Sequence, residues 1–368
     1  MFGVPKRHLC LIGGVFAVVN AGTFAAGGVR YGSDSARYLR GAVDLLALRR
    51  LHDKAASYLG YVIIVAVSRV THTGVAGVVA LQLAGTAGAS LLLYQLGRRM
   101  GGDRVALAAA LFYVGNPWLA RWNWYVLTEA PYIAAVVLAV TAVERADRRR
   151  DVRSFATALV ALLAAALMRP TGWILLPVAA CFLSRSAFRR KAVKWLSWAG
   201  VAIAFLGIAA AIPAFRGGIQ NERPEVLLRR GDTLINWAPW RIHMPQDAST
   251  EEGWVAGLRY VARHPFHSAL VGMARVGIAI ASVRPYYSVK QNIALVAYLT
   301  PVIALAFIGA ASRWRAPLTR LVVAVVGAQL LVIALTLADE DGRYFAYSLP
   351  LIGLLAATGL GRFLAPTE

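Results

Sequence analysis

The sequence predicts an all-α polytopic membrane protein, a chain that crosses a lipid bilayer many times as helices. Of its 368 residues, 58% are hydrophobic and only 15% are charged, whereas soluble domains keep a larger polar surface. Several uninterrupted apolar runs reach the roughly 20 residues that a helix needs to cross a bilayer. The net charge of +21 comes from basic clusters at the ends of these runs. That placement is typical of cytoplasmic flanks of membrane helices, and we expect no nucleic acid partner.

Ten apolar runs are predicted to span the membrane. They are residues 9–29, 74–96, 105–120, 126–143, 154–168, 170–184, 195–215, 291–312, 321–338 and 344–361. Two further stretches are ambiguous, because residues 55–68 are short for a span and residues 265–283 carry Arg275 near their middle. Treating both as interfacial helices places the large arginine clusters on one side, as the positive-inside rule requires. We therefore expect about ten spans, with up to thirteen allowed, and both termini in the cytoplasm.

The first apolar run resembles a signal peptide, since it follows Lys6-Arg7 and ends in small residues. It is long for that role and further spans follow, so we expect an uncleaved first helix. The two cysteines, Cys10 and Cys181, lie inside apolar runs and are interpreted as packing residues rather than as a disulfide.

This topology gathers polar groups on the outer side of the plasma membrane, in which we expect the multi-pass chain to lie. The inner loops are short, and their basic residues are interpreted only as cytoplasmic flanks of the membrane helices. The chain is expected to form a single domain over residues 1–368, with a first outer loop and juxtamembrane helices at 30–73. Residues 216–290 form a large outer loop and an interfacial helix in this prediction. Chemistry or binding is therefore expected at the outer membrane boundary.

Five short polar motifs follow one another along the outer side. They are Gly32-Ser-Asp-Ser-Ala-Arg-Tyr38, Lys54-Ala-Ala-Ser-Tyr-Leu-Gly-Tyr61, Leu127-Thr-Glu-Ala-Pro131, Met168-Arg-Pro-Thr-Gly172 and Asp341-Gly-Arg-Tyr344 with Leu349-Pro350. In this order they resemble motifs of the GT-C superfamily of membrane glycosyltransferases, and in particular the bacterial aminoarabinose transferases and the protein O-mannosyltransferases. The sequence departs from these families at Ser35, where they often carry a second acid.

The resemblance implies a GT-C-like bundle of about 10–13 transmembrane helices, with juxtamembrane helices on the outer face. It also implies transfer of a sugar from a polyprenyl phosphate carrier to an acceptor, which is a glycan, a lipid or a protein. The lipid phosphate leaves without protonation, whereas the acceptor hydroxyl must lose a proton, so one carboxylate suffices for an inverting displacement. Asp34 follows the first helix on the outer side and is the predicted general base. The alternative is that Asp34 caps the next helix.

Glu129 is the second predicted catalytic residue, three residues inside a predicted span. It is interpreted as an orienting partner of Asp34 or of the acceptor. It is also a ligand for a divalent cation, together with Asp34, if the reaction uses one. The alternative is a structural acid paired with a basic residue such as Arg121, because an unpaired charge at this depth costs a few kcal/mol.

Nine further residues are predicted to bind the substrates. Arginine suits bidentate contact with phosphate and lysine acts as a compact charge. The nine are Arg37, Tyr38, Lys54, Arg169, His264, Arg284, Asp341, Arg343 and Tyr344. The alternative for the basic residues is contact with lipid headgroups, and for Tyr344 a place in the interfacial aromatic belt.

A transporter or flippase of lipid-linked saccharides is the alternative function. Transporters place polar groups near the bilayer midplane and are built from two related halves. Here the acidic residues are predicted at one face and no internal repeat is evident, so the sequence favours the transferase. Membrane lipid is the remaining expected partner.

Overall fold

The computed structural model describes residues 3–51, 53–187, 224–235, 237–245, 254–339 and 341–363 of the chain. Helices make up nearly all of these residues, and the described part contains no strand beyond two isolated bridges. The α-helices are α1 Lys6–Ala25, α2 Ser35–Leu46, α3 Leu59–Val70, α4 Gly74–Val114, α5 Pro117–Ala120, α6 Glu129–Arg149, α7 Val152–Met168, α8 Leu175–Ala187, α9 Pro224–Arg229, α10 Trp254–Arg263, α11 Pro265–Ala281, α12 Val289–Ser312, α13 Pro317–Leu335, α14 Arg343–Ala346 and α15 Leu349–Phe363. The predicted all-α fold is confirmed.

Helices α1, α4, α12 and α13 are each long and apolar enough to cross a bilayer. Shorter apolar helices are Val152–Met168, Pro170–Ser184, Pro265–Ala281 and Leu349–Phe363. Helix α6 has 21 residues and so extends about 30 Å. The chain is thus a multi-pass membrane protein. The number of spans stays a prediction, and the predicted span at 195–215 lies outside the described residues.

Helix α4 consists of two arms that fold back on each other. The backbone leaves helical values at Gly101 and Gly102, and Gly102 has a φ of 80°, which favours glycine. Beyond this point Ala106 lies against Gly97, whose missing side chain leaves room for the Ala106 backbone. The two arms correspond to the separate runs predicted at 74–96 and 105–120.

Several predicted boundaries were wrong. The run at 105–120 is broken, because α4 ends at Val114 and α5 begins at Pro117. The run at 126–143 becomes helical only at Glu129, which is therefore the first residue of α6 and not three residues inside it.

The run predicted as one helix at 344–361 is broken into α14 and α15. Asp339 caps the start of α14, because its carboxylate accepts from the backbone N–H groups of Arg343 and Tyr344. The break before α15 lies next to Pro350, which has no N–H to donate.

The two ambiguous stretches form short helices. Residues Asp53–Tyr58 make a 3-10 turn, and α3, with 12 residues, is about 18 Å long, too short to cross a bilayer. Helix α11 carries Arg275 fully buried in its middle. Its guanidinium donates to the carbonyls of Asp232 and Ala334, so α11 is tied to the segment around Asp232 and to α13.

The helices share one hydrophobic core, and the predicted catalytic and substrate-binding residues Asp34, Glu129 and Arg343 lie at one end of it. Helix α15 packs between α12 and the second arm of α4. We call the end that holds Asp34, Glu129 and Arg343 the site end. The other end, where α6 finishes at Arg149, is the opposite end.

Candidate functional site

The first polar segment is pinned to the start of α6 by backbone bonds. The Arg30 N–H donates to the Trp124 carbonyl, and the Val126 N–H donates to the Arg30 carbonyl. The Ser35 hydroxyl accepts from the Gly32 N–H and donates to the Val126 carbonyl at 2.8 Å. Ser35, which stands where related families often have a second acid, therefore holds the segment in place.

Asp34 lies at the entry to α2, but among the described residues its carboxylate makes no capping bond to that helix. Its Oδ1 pairs with Arg37 at 2.7 Å, and its Oδ2 lies 3.7 Å from Arg343. The side chain is 26% exposed. The capping alternative is therefore wrong, and the carboxylate stays reachable from solvent.

Glu129 is buried, with a side chain only 1% exposed. Its Oε1 accepts from Arg169 Nη1 at 2.9 Å, and the same nitrogen donates to the Thr128 hydroxyl at 2.8 Å. Its Oε2 has no hydrogen-bond partner among the residues that the structure describes. The partner suggested from sequence, Arg121, instead donates to the carbonyl of Asp341.

Arg169 follows the last turn of α7, and its side chain lies among three tyrosine rings. Its guanidinium lies 5.9 Å from the ring centre of Tyr58, 5.2 Å from Tyr344 and 4.9 Å from Tyr347. Cation–π contacts at these distances stabilise a desolvated guanidinium. Arg169 is thus fixed by one carboxylate and three rings, and it holds Glu129 rather than facing solvent.

Arg343 lies between three carboxylates. Its Nη1 is 3.7 Å from Asp34 and 3.9 Å from Glu129, and its Nε donates to Asp339 Oδ2 at 3.2 Å. Burial alone would lower the pKa of Arg343, but Glu129 and Asp339 outweigh it and hold that pKa above its usual value. Since the side chain keeps 18% exposure, its charge faces the same opening as Asp34.

Asp339 was missed by the sequence analysis, which selected Asp341 from the same stretch. Asp339 is 2% exposed and bonds the backbone N–H groups of Arg343 and Tyr344 as well as the Arg343 side chain. Asp341 is exposed, and its carbonyl accepts from Arg121. The acid that positions Arg343 is therefore Asp339.

Arg284 is 1% exposed and lies beside this segment instead of in the opening. Its Nη1 donates to the carbonyls of Ile278 and Val283, and its Nη2 to the carbonyl of Asp339 at 2.9 Å. These bonds anchor the Asp339 segment to the end of α11. The geometry therefore supports a positioning role for Arg284, not the phosphate contact predicted from sequence.

The remaining predicted site residues are Tyr38, Lys54 and His264. Tyr38 is buried edge-on against Tyr58 and Tyr61, and burial raises its pKa. Lys54 lies in the turn that leads to Tyr58. His264 precedes the first turn of α11, whose 17 residues separate it by roughly 25 Å from the end that carries Arg284. Its described ring contact is with Tyr260.

A buried polar network behind the cluster also escaped the sequence analysis. The Tyr61 hydroxyl donates to Gln82, which donates to the carbonyls of Asn123 and Tyr125. Asn123 also bonds Thr86 and Asn20. Polar residues inside apolar helices were the available signal, because they must find partners there.

The two predicted catalytic acids do not fit a divalent-cation site in this arrangement. The Arg343 guanidinium lies between them and carries the charge that a cation would supply. Within the described ranges, no group of three or more His, Cys, Asp or Glu side chains is placed to hold a metal ion.

Two comparisons extend these observations. The sequence model of the family described as dolichyl-phosphate-mannose-protein mannosyltransferase matches residues 49–213. The crystal structure of ArnT from Cupriavidus metallidurans bound to undecaprenyl phosphate is similar, with a TM-score of 0.54 and 14% identity over 96% of this chain and 60% of that one. No curated protein matches the sequence.

A second similar structure comes from the archaeal oligosaccharyltransferase AglB of Archaeoglobus fulgidus, in complex with an inhibitory peptide and a dolichol-phosphate. Its TM-score is 0.53, with 14% identity over 95% of this chain and 50% of that one. The chain thus spans about half to three fifths of the length of these proteins. At this identity the likeness establishes the fold, and the resemblance predicted from the motifs is confirmed at the level of the fold.

Proposed function

We propose, from a fold shared with GT-C membrane glycosyltransferases, that this chain transfers one sugar from a polyprenyl phosphate carrier to an acceptor hydroxyl. The transferred sugar is a hexose or a pentose, and the acceptor is a glycan, a lipid or a protein. The site is the opening between α2, the start of α6 and α14. Undecaprenyl phosphate on ArnT and dolichol-phosphate on AglB support a lipid phosphate as the carrier.

The observation that carries the proposal is the contrast between the acids of the cluster. Asp34 is 26% exposed, whereas Glu129 and Asp339 have side chains only 1% and 3% exposed and bond buried partners. A general base must come within hydrogen-bond reach of the proton that it accepts. Of these three acids, Asp34 is the one whose carboxylate is open to an acceptor from solvent.

The reaction is then a single inverting displacement. The acceptor oxygen attacks the anomeric carbon from the face opposite the phosphate, and its proton passes to the Asp34 carboxylate. The bond between the anomeric carbon and the phosphate oxygen breaks, and that oxygen keeps the electron pair. The lipid phosphate leaves as the anion, so the departing group needs no acid.

Arg37 and Arg343 are the proposed contacts for the donor phosphate. They are 28% and 18% exposed at the side chain, and both already pair with Asp34. A phosphate in the opening competes for these guanidiniums, since charge-assisted bonds to phosphate are strong. Donor binding would thereby free the Asp34 carboxylate for the acceptor. Arg169 and Glu129 support the floor of the site.

The proposal includes the orientation of the chain in the membrane. The basic clusters lie at the opposite end, so the positive-inside rule supports a site end that faces the outside of the plasma membrane. The donor would approach from the lipid, and the acceptor from the aqueous side. The domain limits predicted from sequence, a single domain with outer segments at 30–73 and 216–290, remain part of the proposal.

The test compares Asp34→Asn with the parent, purified in lipid, using radiolabelled polyprenyl-phosphate sugars and cell-envelope extracts as acceptors. We expect transfer to fall by about 10²–10⁴-fold, the usual contribution of a general base, while donor binding persists. Asp147→Asn, a partly exposed acid near the opposite end of α6, is the matched control. Undiminished transfer by Asp34→Asn would remove Asp34 as the base. Donor binding and movement across the bilayer without any transfer would favour the flippase alternative.

A further inference from the structure

Two adjoining cavities lie between α4, α6 and α7 at the opposite end of the bundle. The larger, of about 750 Å³, is lined by five arginines together with Leu92, Gln95, Leu138, Thr141, Ala142 and Thr157. The smaller, of about 590 Å³, shares Arg145, Arg149 and Thr157 with it. The two are therefore direct neighbours, and we call them together the basic cavity. Since α6 extends about 30 Å from Glu129, the basic cavity is one membrane thickness away from the proposed active site.

The arginines of the basic cavity are only partly neutralised. Arg98 pairs with Asp103 at 3.0 Å, and Glu144 pairs with both Arg99 and Arg148. In the part of the chain that the structure describes, no ion pair engages the two remaining arginines of the larger cavity, Arg145 and Arg149, or Arg153 in the lining of the smaller one.

The acid in the lining of the smaller cavity is Asp151, and it is committed elsewhere. Its Oδ1 accepts from the Ser154 N–H at 2.8 Å and its Oδ2 from the Ser154 hydroxyl at 3.0 Å, so it caps α7. The basic cavity thus has positive charge to offer to a ligand.

One wall of the basic cavity is apolar. Leu92 of α4 and the α6 residues Leu138 and Ala142 contribute apolar side chains to its lining. Leu138 is 42% exposed on a helix of membrane length, so this wall continues onto the surface that lipid chains contact. A ligand that matches both walls carries an anionic head and an aliphatic chain.

We propose that the basic cavity binds an anionic phospholipid, with the phosphate of the headgroup on Arg145 and Arg149 and an acyl chain along Leu92 and Leu138. Arginine pairs bidentately with phosphate oxygens, and basic pockets between helices at the cytoplasmic surface suit anionic headgroups. A basic surface without a cavity would explain the charge, but not the apolar wall beside it. The proposal does not depend on the glycosyl transfer proposed at the site end.

The test measures lipid binding to the full-length purified protein in uncharged detergent, by native mass spectrometry across a lipid titration. The probes are phosphatidylglycerol and phosphatidylcholine with identical chains, glycerol phosphate, and inorganic phosphate. We expect saturable binding of phosphatidylglycerol in preference to phosphatidylcholine. Neither glycerol phosphate nor inorganic phosphate should displace it at equal concentration, since both lack the chain that contacts Leu92 and Leu138.

Arg145→Gln/Arg149→Gln should weaken phosphatidylglycerol binding by roughly 25-fold, because each arginine near a lipid phosphate contributes about a factor of five. Thr157→Glu, which leaves all five arginines in place and adds an acid to the lining, should also weaken it. The matched control is Arg313→Gln/Arg315→Gln, which removes the same charge from an exposed loop at the same end.

Equal affinity of the parent for the two lipids would overturn the proposal, as would an equal loss in the control. Displacement by inorganic phosphate would overturn it too, in favour of a soluble phosphate ligand. So would unchanged binding by both cavity variants.

Discussion

At the scale of single residues, the cluster is a chain of alternating charges that runs inward from solvent. Arg37 and Asp34 lie at the opening, Arg343 behind them, and Glu129 with Arg169 at the floor. Glu129 and Arg169 form a hydrogen-bonded pair that is almost completely buried, so each charge depends on the other for compensation. The buried pair of Glu129 and Arg169 therefore forms a fixed charged floor of the site. The more exposed pair of Asp34 and Arg37 can exchange its ionic partner for a substrate.

The inner pair should be essential for stability. Arg169→Gln would remove the hydrogen-bonded partner of buried Glu129 and leave it only the longer contact with Arg343 at 3.9 Å. We expect this change to lower the free energy of unfolding by about 3–5 kcal/mol. Glu129→Gln/Arg169→Gln should lose less than the sum of the single changes, because neither charge is then left alone. Unfolding in detergent, followed by heat or denaturant, measures both. Arg98→Gln, at the half-exposed pair with Asp103, should change stability by less than about 1 kcal/mol. An equally small effect of Arg169→Gln would contradict the pairing.

Asp339 and Asp341 should differ in their effect on transfer. Asp339→Asn replaces the acceptor of three bonds with a group that has one carbonyl oxygen, so Arg343 loses its fixed position. We expect sugar transfer to fall by at least about tenfold, with a clear loss of affinity for the lipid phosphate. Asp341→Asn should stay close to the parent, since only its backbone carbonyl is engaged in the described contacts. The two variants are compared in the same transfer and donor-binding assays. The reverse order of effects would restore the assignment made from sequence.

The choice between Asp339 and Asp341 could not be predicted from the sequence. Asp34 could be located because it directly follows an apolar run, and Glu129 because it is an acid inside a run that is otherwise apolar. Asp339 and Asp341 are two residues apart in one polar stretch, and nothing in the sequence separates them. What separates them is backbone geometry, because the turn before α14 points two N–H groups at Asp339.

At the scale of elements, α12 and α15 approach each other backbone to backbone. A Cβ atom added at Gly309 would lie 2.0 Å from the Leu355 carbonyl oxygen, and one added at Gly359 would lie 2.1 Å from the Leu305 oxygen. Small residues allow such approach between membrane helices, where van der Waals packing holds helices together. Because α15 continues from α14, this contact also sets the position of Arg343.

Gly309→Ala should therefore weaken the bundle, by about 1–3 kcal/mol, the usual cost of overpacking. The neighbouring helix α13 offers a matched control, since nothing lies within 4 Å of a Cβ atom at Gly327. Gly327→Ala should be neutral, or stabilising by up to about 1 kcal/mol, because alanine is the better helix former. Thermal unfolding of the purified variants in one detergent makes the comparison. Equal stability of the two variants would show that α12 and α15 are not in the contact described.

Elements were largely predictable, since apolar runs of membrane length became helices wherever the structure describes them. The failures have local causes. The run at 344–361 looked like one continuous helix because it contains no charged residue. Pro350, however, lacks the N–H that a continuing helix needs. The junction between α14 and α15 falls just before it.

At the scale of the whole molecule, charge is distributed unequally between the two ends. The opposite end carries the arginines of the basic cavity and of the loop after α12, whereas the described cluster at the site end balances three acids against three arginines. Lys and Arg near the ends of membrane segments set orientation by staying in the cytoplasm. Sequence could predict this asymmetry because it depends on composition along the chain, and the folded structure adds which helix ends meet.

The orientation itself is tested by labelling single cysteines from outside the cell. Tyr31, 59% exposed at the site end, and Arg315, exposed in the loop at the opposite end, are the two positions, in a background where Cys10 and Cys181 are replaced by alanine. Tyr31→Cys should react with a membrane-impermeant maleimide on intact cells, because the acceptor is proposed to reach the site from the outer aqueous phase. Arg315→Cys should react only after the membrane is opened, and inverted vesicles should exchange the two results. Labelling of Arg315→Cys but not Tyr31→Cys on intact cells would place Asp34 on the cytoplasmic side. A donor sugar and an acceptor would then have to meet at the inner surface, and the phospholipid proposed for the basic cavity would belong to the outer leaflet.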